Sequence, residues 1–280
     1  MWVGILTTCA SALVAGPPAF CAAGADTARV GGSLDDHGVV RLNQAIPRPV
    51  AAALLEHVNA RLAATLCEMR DREAMDVADV YVSFFGDVLA RENRHDLKLD
   101  LTPPVRYAVY ALLGTLGPLF AALLGDDALL YELAALISDP QSPEQPFHPD
   151  LPFVDGQGRA VLTAFVALQP IDELMGPTRF VPGSHTTESH AAFNAADEAT
   201  KLGYLRSQPV ALGILDAGDC TLFDARTIHC GGANLSPHRR VVFYLSFHAR
   251  HAERLKPGTL LYGLREQHSL ASLRELPTDA

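Results

Sequence analysis

No cluster of lysines and arginines occurs in this chain, whose formal net charge is -10 at pH 7. Surfaces that neutralise phosphates or sit on anionic lipid need such a patch, so nucleic acid is not expected as a partner. Paired cysteine spacings are also missing. The five cysteines, at 9, 21, 67, 220 and 230, are odd in number and fit neither a disulfide framework nor a zinc finger. They read as small buried apolar residues, with Cys230 notable for standing beside His229. An apolar run long enough to cross a bilayer is absent from the N-terminal segment, because Gly16-Pro17-Pro18 cuts it short of the roughly 20 residues required. No stable membrane span is expected.

What is present is core-forming material. With 280 residues, 49% hydrophobic and 19% charged, the chain can bury a full interior as one globular domain over residues 26–280. Residues 1–25 stand apart. Uncharged, apolar and rich in small side chains up to residue 23, they read as a cleaved targeting or disordered leader, although no basic residue precedes the apolar run. A cytoplasmic or organellar location follows as the expectation.

The N-terminal half reads as helical packing, over about residues 47–125. Residues 34–42 predict a short strand entered through a polar turn, with His37 in the turn. Val50, Leu54, Leu55, Val58, Leu62 and Leu66 then recur at helical spacing behind Pro47. Residues 76–103 mix aromatic and charged side chains and read as a solvated connection, with a lid as the other reading. A second apolar stripe from Val105 to Leu119 predicts a helix that stops at Gly125.

From residue 129 to about 250 the pattern becomes short strands between Gly/Pro turns. Residues 129–138 fit a buried strand or a helix equally, 160–168 a strand, 191–199 a surface helix or loop, and 208–215 another strand. Residues 220–224 and 239–247 read as the last strands. Such a series predicts an α+β chain with a mainly β core, a double-stranded β-helix of jelly-roll or cupin type. The tail, 251–280, carries a weak helical stripe suited to covering one mouth of the barrel.

The chemistry concentrates in Gln145-Pro146-Phe147-His148-Pro149-Asp150. This stretch is too proline-rich for a helix, and in extended chain residues i and i+2 point the same way. His148 and Asp150 can therefore grip one metal ion, with His229 as the distant third ligand. Two histidines and one carboxylate on one face of an octahedral ion leave open the positions that non-haem Fe(II) oxygenases use. Arg240 follows on the next strand, where it shares a face with Tyr244, Ser246 and His248. Arg239 shares its face with the apolar row Val241, Phe243, Leu245 and Phe247, so Arg240 is the arginine suited to a dicarboxylate.

His148-Pro149-Asp150, the segment Met175-Gly176-Pro177-Thr178-Arg179-Phe180-Val181-Pro182-Gly183-Ser184-His185, and His229 with Asn234 and Arg240 behind it together resemble the phytanoyl-CoA dioxygenase-like Fe(II)/2-oxoglutarate oxygenases. The resemblance covers roughly residues 34–250. It implies iron ligation by His148, Asp150 and His229, with Arg240 on the carboxylate of the 2-oxoglutarate co-substrate and Gln145 and Thr178 touching that co-substrate. Dioxygen, a small-molecule substrate, hydroxylation, and release of succinate and CO2 are implied with them. Asp150 argues against halogenation, since related halogenases carry a small residue there. Two departures stand out: many relatives have Gly-Ser after the distal histidine where this chain has Cys230-Gly231, and Asn-Gly where it has Met175-Gly176.

Competing roles accompany these residues. A metal-binding cupin without redox chemistry would use the same triad, and so would a zinc hydrolase, although a hydrolase has no need of Arg240. Arg179 fits a substrate contact or a surface ion pair. His185 and Ser184 read as turn structure, and Tyr131 and Tyr244 as core, with pocket lining as the other reading. Asn234-Leu235-Ser236 is a glycosylation sequon that reads as structural because it lies in the site loop.

Overall fold

The computed structural model describes residues 21–22, 27–73, 82–85, 87–91, 93–154, 158–194, 197–252 and 255–275. Most of the leader expected over residues 1–25 lies outside them. Twelve strands and six α-helices follow in order: β1 (Cys21–Ala22), α1 (Thr27–His37), β2 (Val39–Leu42), α2 (Arg48–Glu73), β3 (Val82–Phe85), β4 (Val88–Arg91), β5 (Arg94–Lys98) and α3 (Val105–Leu124). The second half holds β6 (Leu129–Ser138), β7 (Val161–Ala167), β8 (Thr178–Phe180), α4 (Thr187–Phe193), α5 (Glu198–Ser207), β9 (Ala211–Leu212), β10 (Cys220–Asp224), β11 (His229–Gly231), β12 (Arg240–His248) and α6 (Leu270–Glu275).

Nine strands form one sheet in the order β1-β2-β10-β7-β12-β6-β5-β4-β3, and β11-β8-β9 form a second. The two make a double-stranded β-helix. Its central strands β7, β10 and β12 are buried almost along their whole length, as strands covered on both faces must be. Helix α3 closes the outer face: Leu112, Leu116 and Phe120 are buried in its stripe, and Phe120 meets Phe247 of β12 at 5.1 Å between ring centroids. Truncating a fully buried leucine such as Leu112 to Ala would cost about 2–5 kcal/mol. By length and composition α3 is the one described helix apolar enough to cross a membrane, and half of that apolar window is buried inside the protein.

Several boundaries differ from expectation. Residues 34–37 end a helix, and the strand begins only at Val39; Gly38, at φ +71, makes the left-handed exit that a helix C-terminus favours. The stretch 76–103, expected as a solvated connection, holds instead a meander, β3-β4-β5, that extends the main sheet beside β6; its residues 76–81, 86 and 92 lie outside the described residues. Charge there hid a strand whose outer-face residue Leu97 is fully buried, as is Leu99 just beyond its end. The stretch 208–215 supplies only the two-residue β9, and 187–207 folds as two helices.

Strand register fixes what faces the barrel interior. Arg240 pairs with Ser138, which pairs with Arg94; Val242 pairs with Leu136, and Leu136 with Asp96. Tyr244 sits between Ala134 and Phe165, and Ser246 between Glu132 and Thr163. The inner face thus runs from a basic row to an acidic one over six residues of β12, on the order of 20 Å.

Candidate metal centre

The triad forms through a backbone contact. His148 makes an isolated antiparallel bridge to His229, with each amide donating to the other residue's carbonyl at 2.9 Å. Extended chain then places Asp150 on the same side as His148. Candidate ligand atoms of His148, Asp150 and His229 all lie within 4.8 Å of one another. Asp150 Oδ1 is 3.9 Å from His148 Nε2 and 3.6 Å from His229 Nε2.

Both imidazoles are oriented by the carbonyl two residues earlier. His148 Nδ1 lies 2.8 Å from Pro146 O and His229 Nδ1 2.9 Å from Thr227 O. A carbonyl only accepts, so each Nδ1 carries the proton and each Nε2 lone pair faces Asp150. Burial pushes the His229 pKa down against the opposing pull of Asp150, which favours the neutral, ligating form. Phe180 stacks on the His229 ring and Phe223 packs at its edge, with centroids at 5.7 and 5.0 Å. Ser184 acts one residue upstream, where its Oγ accepts from Ile228 N at 2.7 Å.

The triad opens on a cavity of about 440 Å³ whose walls include Arg240, Arg94, Gln145, Thr178, Tyr244 and Glu132. Arg240 is only 2% exposed. Its Nη2 donates to Ser138 Oγ at 3.0 Å, while Nε and Nη1 are buried without a protein partner. Burial, reinforced by repulsion from Arg94, lowers its pKa to about 9. Orphaned guanidinium donors are expensive unless a ligand anion completes them. Arg239 points away, onto Asp139 and Asn59.

Arg94 escaped the sequence reading. It too is buried, donating from Nη1 to Ser138 Oγ at 2.9 Å and from Nη2 to Pro143 O at 2.7 Å and Gly232 O at 3.2 Å. The alternation of Arg94 and Asp96 with His95 and Leu97 was the available signal. Gly231 makes room for it: a Cβ there would meet Gln145 Oε1 at 2.6 Å and Arg94 Nη1 at 2.8 Å. Gln145 Oε1 accepts from Gly231 N at 3.0 Å, so this side chain ties β11 in place as well as lining the cavity. Thr178 lines the same wall from β8.

Other expectations resolve simply. Arg179 forms a surface ion pair with Glu144 at 2.5 Å. Tyr244 is not mere core: it lines the cavity and its hydroxyl donates to Asp96 Oδ1 at 2.8 Å. Burial pushes the Cys230 thiol up to about 12, which makes it inert. Asn234 is fully buried, donating to Ser138 O and His238 O, so its sequon is structural. Gly176 holds φ +66, and Met175 N is capped by Asp172 Oδ1, a contact that replaces the expected Asn-Gly turn.

The donor set fits a divalent iron ion, and the unpartnered Arg240 donors fit the distal carboxylate of 2-oxoglutarate. The family model described as phytanoyl-CoA dioxygenase (PhyH) matches residues 34–242. The chain is 33% identical over 102 residues to "Multifunctional dioxygenase prhA" of Penicillium brasilianum, covering 34% of this chain and 33% of that one. It is 32% identical over 114 residues to "Multifunctional dioxygenase ausE" of Aspergillus calidoustus, covering 38% and 37%. The matches thus span about a third of the length of these curated relatives. Among solved structures, the epimerase SnoN in complex with Fe3+, alpha ketoglutarate and nogalamycin RO superposes with a TM-score of 0.55 at 21% identity, covering 84% of this chain and 95% of that one. The carbocyclase SnoK from nogalamycin biosynthesis gives 0.54 at 21%, covering 82% and 91%. At that identity the likeness establishes the double-stranded β-helix fold, and the family match establishes membership: the chain belongs to the phytanoyl-CoA dioxygenase (PhyH) family.

Proposed function

We propose that this chain is an Fe(II)- and 2-oxoglutarate-dependent dioxygenase that hydroxylates a small molecule and releases succinate and CO2. One observation carries the reading: a His-Asp-His group shares a cavity with a buried arginine that has two unpartnered donors. His148, Asp150 and His229 hold the metal by one face. Arg240 receives the distal carboxylate of 2-oxoglutarate, and Arg94 adds positive charge behind it. Iron, 2-oxoglutarate and dioxygen together supply an oxidant able to take hydrogen from an unactivated carbon.

The chain's own contribution is orientation. The carbonyls of Pro146 and Thr227 hold the two imidazoles in the ligating tautomer. Phe165, Phe180 and Phe223 surround His229 and exclude water from its side of the centre. Ser138 fixes both guanidiniums at one end, so a dicarboxylate is aligned before substrate enters.

The test is spectral. Anaerobic protein with Fe(II) and 2-oxoglutarate should develop a weak visible charge-transfer band, and Arg240→Leu should abolish it at the same ligand concentration. Protein that binds Fe(II) but shows no 2-oxoglutarate binding would refute the assignment.

A further inference from the structure

The cavity has a second pole that the co-substrate does not use. Along β12 from Arg240 come Asp96 in the row of Val242, then Tyr244, then Glu132 opposite Ser246 at the far end, and all three line the same space as the triad. Glu132 is shielded from bulk solvent but opens on the cavity. A relay of hydroxyls supports it: Thr163 Oγ1 and Ser246 Oγ lie 2.9 Å apart, and Ser246 Oγ donates to Glu132 Oε2 at 2.6 Å. Thr259 N, from the C-terminal tail, reaches Glu132 Oε1 at 3.4 Å. These contacts aim the carboxylate into the cavity. Both charges that act on Glu132, those of Asp150 and Asp96, are negative.

A buried carboxylate such as Glu132 favours its neutral form in the empty cavity, and a cation beside it would stabilise the ionised one. The unpartnered donors of 2%-exposed Arg240 fit a bound anion at the arginine end of the cavity. With 2-oxoglutarate drawn to the arginine end, the remaining volume faces carboxylates and a tyrosine. We propose that the substrate is an amine, with its ammonium group held by Glu132 and flanked by Asp96, and its carbon chain directed at the triad. The inference rests on the function proposed above. The electrostatics disfavour the alternative of a carboxylate or phosphate at this end, since such a group would meet Asp96 and Glu132 together. Leu89, Leu136 and Phe165 supply the apolar wall against which the carbon skeleton packs.

Three probes of matched shape test this on the full-length, metal-free protein: cyclohexylamine, cyclohexanol and cyclohexanecarboxylate. Binding is read by titration calorimetry and ligand-observed NMR, with 2-oxoglutarate titrated separately. The amine should bind at least about tenfold tighter than the alcohol, and the carboxylate should not occupy the Glu132 end. Glu132→Gln should remove the amine preference while leaving 2-oxoglutarate binding unchanged. Ser246→Ala, which only loosens the carboxylate, should weaken amine binding less, and melting curves verify that both variants fold. Equal binding of amine and alcohol, or an unaltered preference in Glu132→Gln, would overturn the proposal. Failure of 2-oxoglutarate to bind Fe(II)-loaded wild-type protein would instead count against the proposed function, because the amine preference is measured without either.

Discussion

Arg94 and Arg240 meet on a single hydroxyl: both donate to Ser138 Oγ, at 2.9 and 3.0 Å. Two guanidiniums so close repel, and the lowered pKa of Arg240 records that strain together with burial. The pair makes sense as a receptor for an anion, and it separates stability from binding. Arg240→Met should leave the ligand-free protein as stable as wild type or more so, by roughly 1–3 kcal/mol, because a poorly partnered buried charge is replaced by apolar volume. In wild type, 2-oxoglutarate at 100 times its Kd should add about 2.7 kcal/mol to stability. Thermal melts with and without 2-oxoglutarate check both parts: the variant should lose the ligand-induced shift without losing its own melting temperature.

Gly231 and Arg94 form a matched pair. Restoring the serine that many relatives carry, by Gly231→Ser, should crowd Arg94 and Gln145, destabilise by about 1–3 kcal/mol and weaken 2-oxoglutarate binding. Combining Gly231→Ser with Arg94→Ala should recover part of both losses. A double-mutant cycle without coupling would show that the two positions are independent.

Glu132 makes stability fall with pH. Burial, then the Asp150 charge, raises its pKa from 4.5 to about 7. Between those values the folded protein keeps a proton that the unfolded chain has released, so stability declines as pH rises through the window and stays lower above it. Glu132→Gln should be more stable than wild type at pH 8, on the order of 1–2 kcal/mol, and equal to it near pH 4. Denaturant melts of metal-free protein at the two pH values decide it.

Asp150→Ala removes the one anionic ligand from the triad. Fe(II) affinity should fall by at least about tenfold, and succinate formation from 2-oxoglutarate should cease. Equilibrium dialysis with Fe(II) and a succinate assay measure the two effects separately.

Asn234 joins the loop after β11 to β6 through Ser138 O and closes that loop through Ser236 and His238. Asn234→Ala should cost about 2–4 kcal/mol by orphaning buried backbone groups. Expression in a glycosylating host should add no glycan mass at this sequon, which intact mass spectrometry reads directly.

The triad was legible because its chemistry and its geometry coincide in local sequence: a proline-flanked His-x-Asp can only be extended, and extension aligns the two ligands. Arg240 was legible for a similar reason, since strand alternation separated it from Arg239 and its apolar row. Arg94, Asp96 and Glu132 were not. In the stretch Arg91 to Asp96 the charges imitate solvated surface, and only pairing with β6 turns Arg94 and Asp96 inward. Helix α1 was hidden by Gly31-Gly32 and Asp35-Asp36, weak helix formers that packing of Val30 and Leu34 overrides. Residues 208–215 have strand composition, but only Ala211 and Leu212 pair as a strand, on β8, while Leu215 makes an isolated bridge to Ile171.

Strand β5 offers both poles of the cavity from positions two residues apart, Arg94 opposite Ser138 and Asp96 opposite Leu136. Its frame is pinned by Asn93, whose carbonyl accepts from Asp139 N at 2.8 Å and whose φ of 52° turns the β4-β5 hairpin. A two-residue slip at that hairpin would preserve every inward-facing side and still set an anion opposite Ser138, where the proposed function puts the keto-acid's distal carboxylate. Length changes in this loop would therefore invert the polarity of the chamber, and a hairpin far from the metal ligands in sequence governs which molecules can reach them.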